Sequence, residues 1–201
     1  MTTSAIAVTE GAGKNIWTES RIVSAVTREA QVVLIGEPAL PTYTVSAVST
    51  SAITTGAHLV QLMAGASLYV RVTKINISQR GATSGVATYQ GLSLYRLTTA
   101  GSGGTAITPS RFDRGDAVAS ATAQTLPTAK GDEGDLLWYW NLTCEATRPW
   151  VREMWSWEAS PRCKAIVIPP GTADGIALKL GTGVATVSYD IVIEFTETAW
   201  L

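Results

Sequence analysis

The segment from Lys164 to Thr196 constrains the fold more than any other. Within it Val187, Tyr189, Ile191, Ile193 and Phe195 share one parity, and Ser188, Asp190, Glu194 and Thr196 share the other. Alternation with a period of two marks a half-buried strand, and no helical face fits it. Two further extended pieces precede this strand, Lys164-Ala165-Ile166-Val167-Ile168 and Ile176-Ala177-Leu178-Lys179-Leu180. Pro169-Pro170-Gly171 separates them, and Gly181-Thr182-Gly183 follows the second, so the whole stretch reads as three strands with two tight turns. Burying a large apolar side chain stabilises by about 1.5 to 3 kcal/mol, whereas ordering one backbone residue costs about 1 to 2 kcal/mol. A strand that buries only every second residue does not hold itself in place. Its apolar face needs a second layer, which implies a β-sandwich or a curved barrel.

Upstream segments are candidates for that layer. His58 to Met63 and Leu68 to Gln79 read as a pair of strands joined through Ala64-Gly65-Ala66-Ser67. In the second, Leu68, Val70 and Val72 share one face while Ile75 and Ile77 fall on the opposite parity, so a β-bulge near Thr73-Lys74 is expected to restore their inward direction. Val86 to Leu97 alternates Leu92 and Leu94 against Ser93 and Tyr95, and Leu136 to Thr143 carries aromatics on both faces. Leu68 to Gln79, Val86 to Leu97 and Leu136 to Thr143 are the expected partner layer. Between the last two lies a long loop, 98–135, rich in Gly, Ser and Pro, with a short helix expected over Ala117 to Ala123. Loops of this length in a compact domain are usually functional or interfacial. The pattern predicts an all-β chain, a jelly-roll-like β-sandwich of about eight antiparallel strands.

Residues 1–50 differ in character. They are rich in Thr, Ser, Ala and Val, broken by Gly11, Gly13, Pro38 and Pro41. The valines and isoleucine between Arg21 and Val33 argue for extended chain over helix. The expected organisation is an extended N-terminal arm or first hairpin over 1–50, followed by a β-sandwich body over 51–201.

Composition narrows the function classes. Apolar residues make up 46% of the chain and charged residues only 15%, against about a quarter in an ordinary soluble domain. Much of the surface is therefore small polar residues or is covered by other subunits. Fifteen basic and sixteen acidic residues leave a net charge of −1, which offers nothing to attract nucleic acid or an anionic membrane. Met1 to Val8 lacks the basic and apolar regions of a signal peptide, and no run has the length of a membrane helix, so a soluble product made in the cytoplasm is expected. In that compartment Cys144 and Cys163 are expected to be buried thiols in preference to a disulfide.

Chemical motifs are sparse. His58, the single histidine, opens an apolar strand with no acid or nucleophile placed beside it by sequence, so a structural role is favoured over a catalytic one. Gly11-Ala12-Gly13-Lys14 lacks the first glycine and the final Ser or Thr of a phosphate loop. Asp132, Glu133 and Asp135 form an acidic turn that matches no EF-hand, and neither a metal nor a cofactor is expected. Arg114-Gly115-Asp116 and two glycosylation sequons are of the length that recurs by chance. Seven tryptophans are many for this size. Those beside Arg148, Arg152 and Arg162 read as an interface, as core, or as a sugar-stacking platform.

Two runs carry a resemblance. Tyr95-Arg96-Leu97-Thr98-Thr99-Ala100-Gly101 through Thr108-Pro109, together with Ile166-Val167-Ile168-Pro169-Pro170-Gly171-Thr172-Ala173-Asp174-Gly175-Ile176, resemble small β-rich virion proteins of tailed bacteriophages. The similarity spans roughly residues 55–196 and is greatest to jelly-roll capsid decoration, or cement, proteins. It implies a non-enzymatic protein on the capsid surface of a virion, bound to the major capsid protein as a symmetric homo-oligomer, with a trimer favoured over a dimer. The expected contacts come from the arm (Trp17, Ile22, Val33, Ile35), the long loop (Phe112) and the Trp/Arg segment (Trp150, Arg152, Trp155, Trp157). The alternatives are a head-fibre or tail module that binds a receptor or glycan, and, less favoured, a hydrolase without a recognisable motif.

Overall fold

The computed structural model describes residues 18–23, 26–31, 40–49, 53–82, 88–144, 152–182 and 187–199. The chain divides into two compact units, Met1–Pro38 and Ala39–Leu201. In the first, β1 (Thr18–Val23) and β2 (Val26–Gln31) form an antiparallel ladder running from Thr18 opposite Gln31 to Val23 opposite Val26. Ile22, Val23, Val26 and Thr27 thus lie in extended chain.

The second unit contains β3 (Thr42–Ser49), β4 (His58–Met63), β5 (Tyr69–Ala82), β6 (Thr88–Leu97), β7 (Thr105–Ile107), β8 (Ser110–Arg111), β9 (Thr122–Thr125), β10 (Glu133–Cys144), β11 (Arg152–Glu158), β12 (Ile166–Ile168), β13 (Gly175–Thr182) and β14 (Val187–Thr198). They form two antiparallel sheets, one ordered β10-β6-β13-β4-β9-β7 and the other β11-β5-β14-β3-β8, with β12 also beside β5. Eight strands carry the winding. The first of them, β3, lies beside the last, β14; β4 lies beside β13, β5 beside β11, and β6 beside β10. This nested pairing is a jelly roll, a long folded ribbon curled until its two ends meet.

The alternation of β14 emerges as read. Tyr189, Ile191, Ile193 and Phe195 are buried between the sheets, and Phe195 stacks on Tyr43 of the adjacent β3 at 5.4 Å between ring centroids. The parity break in β5 is resolved by a bulge. Lys74 lies opposite Glu194 and Val72 opposite Phe195, so Thr73 is the extra residue, and Val70, Val72, Ile75 and Ile77 are all buried.

Four expectations are corrected. The stretch from Lys164 to Thr196 is not one sheet: β12 and β14 belong to one layer and β13 to the other. The first of its turns is an arch between layers, where Gly171, at φ 135°, adopts a conformation open to glycine and donates its N–H to the Gly65 carbonyl at 2.9 Å, whereas Gly181 and Thr182 of the expected second turn continue β13. β5 is a lateral neighbour of β14 and not part of the layer facing it; β6 and β10 are in that layer. β4 and β5 are consecutive but occupy opposite sheets. No helix spans residues 117–123, because Thr122 to Thr125 join the ladder beside Met63 to Val60. In each case alternation reports which face a residue presents and leaves open which strand lies beside it. β3, within the first fifty residues, is hydrogen-bonded to β14 from Thr42 to Ser49 and is part of the body.

Each side of the sandwich is closed in its own way. On one, β10 and β11 end their respective sheets, and Trp138 and Trp140 of β10 meet Trp155 and Trp157 of β11. On the other, the excursion between β6 and β10 adds β9 and β7 beyond β4 and adds β8 beyond β3.

Candidate functional site

The excursion is fastened to both sheets by buried polar groups, and the first of these clusters depends on a second bulge. Val60 lies opposite Leu178 and His58 opposite Lys179, so Leu59 is the extra residue. His58 and Gln61, three residues apart, consequently meet: Gln61 Nε2 donates to His58 Nδ1 at 2.7 Å. That bond fixes the tautomer. With Nδ1 accepting, the proton sits on Nε2, which donates to Glu133 Oε1 at 3.0 Å. Glu133 Oε2 accepts from Lys179 Nζ at 2.7 Å, and the ammonium lies 5.0 Å from the centroid of the Tyr95 ring. The other end of the network reaches the excursion. Gln61 Oε1 accepts from the Gly101 N–H and from Gln124 Nε2, both at 3.0 Å, and Gln124 Nε2 also donates to the Gly101 carbonyl at 2.7 Å.

Chemically this is a clamp. His58 is 0% exposed, both its ring nitrogens are engaged, and it offers no lone pair to a substrate. Burial pushes its pKa below the ordinary imidazole value; the Glu133 hydrogen bond and charge pull it back, and the charges of Lys130 and Lys179 push it down further. For Glu133, burial raises the pKa, but the hydrogen bonds from Lys179 and His58 outweigh it and hold the carboxyl below its usual value. The sign of the linkage follows. An unfolded His58 takes up its proton near pH 6.5 and the folded one only at lower pH, so the unfolded state binds more protons in between and stability falls as pH drops. Glu133, with a pKa depressed from 4.5, adds a further decline at more acid pH. Urea midpoints measured from about pH 7.5 to about pH 5 are expected to decrease in the native chain. A His58→Gln chain is expected to lose that slope, since no other histidine is present.

A second cluster binds the excursion to the other sheet. Glu197, buried at the end of β14, accepts from the Ser120 N–H at 3.0 Å through Oε2, and through Oε1 from the Ser120 hydroxyl at 3.0 Å and the Ala121 N–H at 2.7 Å. The Tyr43 hydroxyl donates to the Ala117 carbonyl at 3.0 Å, and the Phe112 N–H donates to the Thr42 carbonyl at 3.0 Å. Between these anchors the turn at Asp113 is ordered. Asp113 Oδ1 accepts from the Gly115 N–H at 2.8 Å, and Arg111 Nη1 donates to the Asp116 carbonyl at 2.6 Å. Two large apolar side chains project from this rim, Phe112 at 60% exposure and Val118 at 67%.

The residues singled out in the sequence are thus dispersed. Trp155 and Trp157 are partly buried against the core, with Trp140 to Trp155 at 4.1 Å and Trp138 to Trp157 at 5.2 Å between ring centroids. Phe112 is on the exposed rim. Ile22 stands opposite Thr27, and Arg152 opposite Gln79, as backbone positions. Trp17, Val33, Ile35 and Trp150 lie outside the described residues. Cys163 is a free thiol whose sulfur accepts from Trp157 Nε1 at 3.4 Å. The acidic turn does not converge on a point: Glu133 faces His58 and Lys179, whereas Asp132 Oδ2 accepts from the Thr99 hydroxyl at 3.1 Å. Among the described residues no group of three or more potential ligands is placed to hold a metal ion. A cavity of about 320 Å³ lies between Arg96 and Leu97 on one side and Val167 to Pro169, Asp174 and Gly175 on the other, and Arg96 Nη1 there donates to the Val167 carbonyl at 2.5 Å.

Gln61, Gln124, Lys179 and Glu197 did not stand out in the sequence. The available signal was a glutamine inside the otherwise apolar His58 to Met63 run, since a buried amide requires partners.

The fold and these clusters define a jelly-roll sandwich that carries a clamped surface excursion. No protein-family model matches the chain, and neither the curated proteins nor the solved structures yield a match.

Proposed function

We propose that this chain is a non-enzymatic structural protein of a tailed-bacteriophage virion, one that binds the outer face of the capsid lattice as a decoration or cement protein. The observation that carries the reading is the excursion between β6 and β10. It is held on one sheet by Gln61 and on the other by Glu197, and it presents Phe112 and Val118 to solvent on an ordered rim. Exposed apolar side chains on a rigid support give contact area without the entropic cost of ordering a loop on binding. The resemblance of residues 95–109 and 166–176 to phage virion proteins supplies the partner class, the major capsid protein. Neither the net charge nor the excursion favours nucleic acid. Of the rings that a glycan platform would use, Trp150, Trp155 and Trp157, the last two are engaged in closing the sandwich.

The test is co-sedimentation with assembled capsid shells. The native chain is expected to pellet at a fixed ratio to the major capsid protein, and Phe112→Ala/Val118→Ala is expected to weaken that binding at least tenfold with an unchanged melting curve. Removing residues 1–38, which leaves β3 in place, measures the contribution of the N-terminal unit. An unaltered affinity in the double variant rejects the rim as the contact surface. Failure of the native chain to bind shells rejects the reading.

A further inference from the structure

The four ends of the two sheets are not alike. β7 and β8 are three and two residues long. β11 carries Arg152, Glu153 and Glu158. Brevity and charge are the usual guards against edge-to-edge pairing. β10 has neither along most of its length. It runs for 12 residues, and from Leu136 to Cys144 it reads Leu-Leu-Trp-Tyr-Trp-Asn-Leu-Thr-Cys, without a charge, proline or glycine. Its irregularities are confined to the start, between Glu133 and Trp138; from Trp138 opposite Leu94 to Cys144 opposite Thr88 the ladder with β6 is regular. Among the described residues no strand pairs with the other edge of β10. Beside that edge Leu136 and Tyr139 are 51% and 50% exposed.

We infer that the free edge of β10 pairs with the same edge of a second copy of this chain, antiparallel about a twofold axis, joining two sheets into one. The uncharged row suits a partner that carries the same row. In an antiparallel self-pairing centred on Trp138 or on Asn141, Glu133 and Asp135 of one copy do not come opposite Glu133, Asp135 or Glu145 of the other, so like charges do not face each other. The regular, uncharged run supplies the hydrogen-bonding centre. A twofold axis also makes the contact self-complementary, each strand offering its own unpaired N–H and C=O groups to an identical row. Within the body, a threefold ring built on this edge requires β10 to meet β7, β8 or β11, of which two are too short and the third is charged. The inference departs in this respect from the trimer implied by the family resemblance, and it does not depend on capsid binding.

Sedimentation equilibrium of the full chain tests it. The expected mass is twice the 21.2 kDa of the chain, and Leu136→Lys/Tyr139→Lys is expected to reduce it to that of one chain. Both positions are half-exposed, so the fold tolerates the change, while lysines beside the edge supply the charged guard against strand pairing that β10 lacks. Val118→Lys, on the excursion, is expected to leave the mass doubled. Should the double variant not fold, hydrogen exchange on the native chain decides the matter. Amides on the outer edge between Trp138 and Cys144 are expected to be protected at high protein concentration and to lose that protection on dilution, as the mass falls. A native chain that stays single or forms a trimer, a folded double variant that stays paired, or exchange in β10 that ignores concentration would overturn the inference.

Discussion

Replacing Trp138 with alanine is expected to destabilise the sandwich by about 3 kcal/mol, the low end of the range for removing a buried tryptophan. The ring is only partly buried, which sets the low end, but it touches more of the closing cluster than any other. Its centroid lies 6.3 Å from Trp140 on its own strand, and 6.1 and 5.2 Å from Trp155 and Trp157 across the sandwich. No hydrogen-bonded ladder joins β10 to β11, and on this side the two sheets meet through these tryptophans. Losing one ring opens a gap at the place where the edges of the two layers meet. Urea unfolding followed by far-ultraviolet circular dichroism measures the effect without relying on the fluorescence that the substitution alters. Leu136→Ala, at an exposed position two residues away, is the control and is expected to change stability by no more than about 0.5 kcal/mol. Combining Trp138→Ala with Trp157→Ala in a double-mutant cycle is expected to yield a coupling of about 0.5 to 1.5 kcal/mol.

Glu197→Ala is expected to have an effect of similar size by a different route. Hydrogen bonds to a charged group contribute about 1.5 to 3 kcal/mol each, and a buried donor left without a partner carries a penalty of its own. Three donors converge on this carboxyl group, two of them backbone N–H groups that cannot turn away. A loss of about 3 kcal/mol is expected, less than the simple total because water reaches the exposed Ser120. Glu197→Gln retains one acceptor oxygen but turns an amide N–H toward a donor, so about half the loss is expected. The damage is local. Trypsin is expected to cut the variant after Arg111 or Arg114 faster than it cuts the native chain, and amide exchange is expected to quicken at Ser120 and Ala121 ahead of the core strands. Uniform acceleration across β5 and β14 would instead show that the carboxyl group supports the whole sandwich.

Much of the architecture was legible because strand alternation is a local signal. Tyr189, Ile191, Ile193 and Phe195 declared their buried face, and the change of parity between Val72 and Ile75 located a bulge to within one residue. Lateral neighbours were not legible. β13 and β14 adjoin in sequence, each has one face in the core, and nothing in their spacing says that they belong to different layers instead of forming a hairpin. The expected helix over 117–123 fails for a related reason. Ala121 and Ala123 have helical propensity, but the backbone of Thr122 to Thr125 satisfies its hydrogen bonds against β4 and β7, segments remote in sequence. The clamp was illegible for the same cause at longer range. His58 and Glu133 are 75 positions apart, and Ser120 and Glu197 are 77. The tryptophans were visible as a group, but their direction depended on two edge strands that meet only when both sheets are assembled.

The excursion interrupts the one connection between consecutive long strands that stays within a sheet, β6 to β10. Its two ends are tied to each other: the Thr98 N–H donates to the Asp132 carbonyl at 3.0 Å, and the Asp132 N–H donates to the Thr99 hydroxyl at 2.7 Å. Gly131 permits this closeness, because a side chain there would strike the Thr99 carbonyl. For the eight-stranded ribbon, therefore, everything between Thr98 and Asp132 amounts to a single hairpin turn. Such an insert is interchangeable at its exposed rim: the length and chemistry there are free to drift while the anchored residues Ser120, Ala121 and Gln124 and the ribbon beneath stay in place, so new surfaces can arise at this position without refolding the rest.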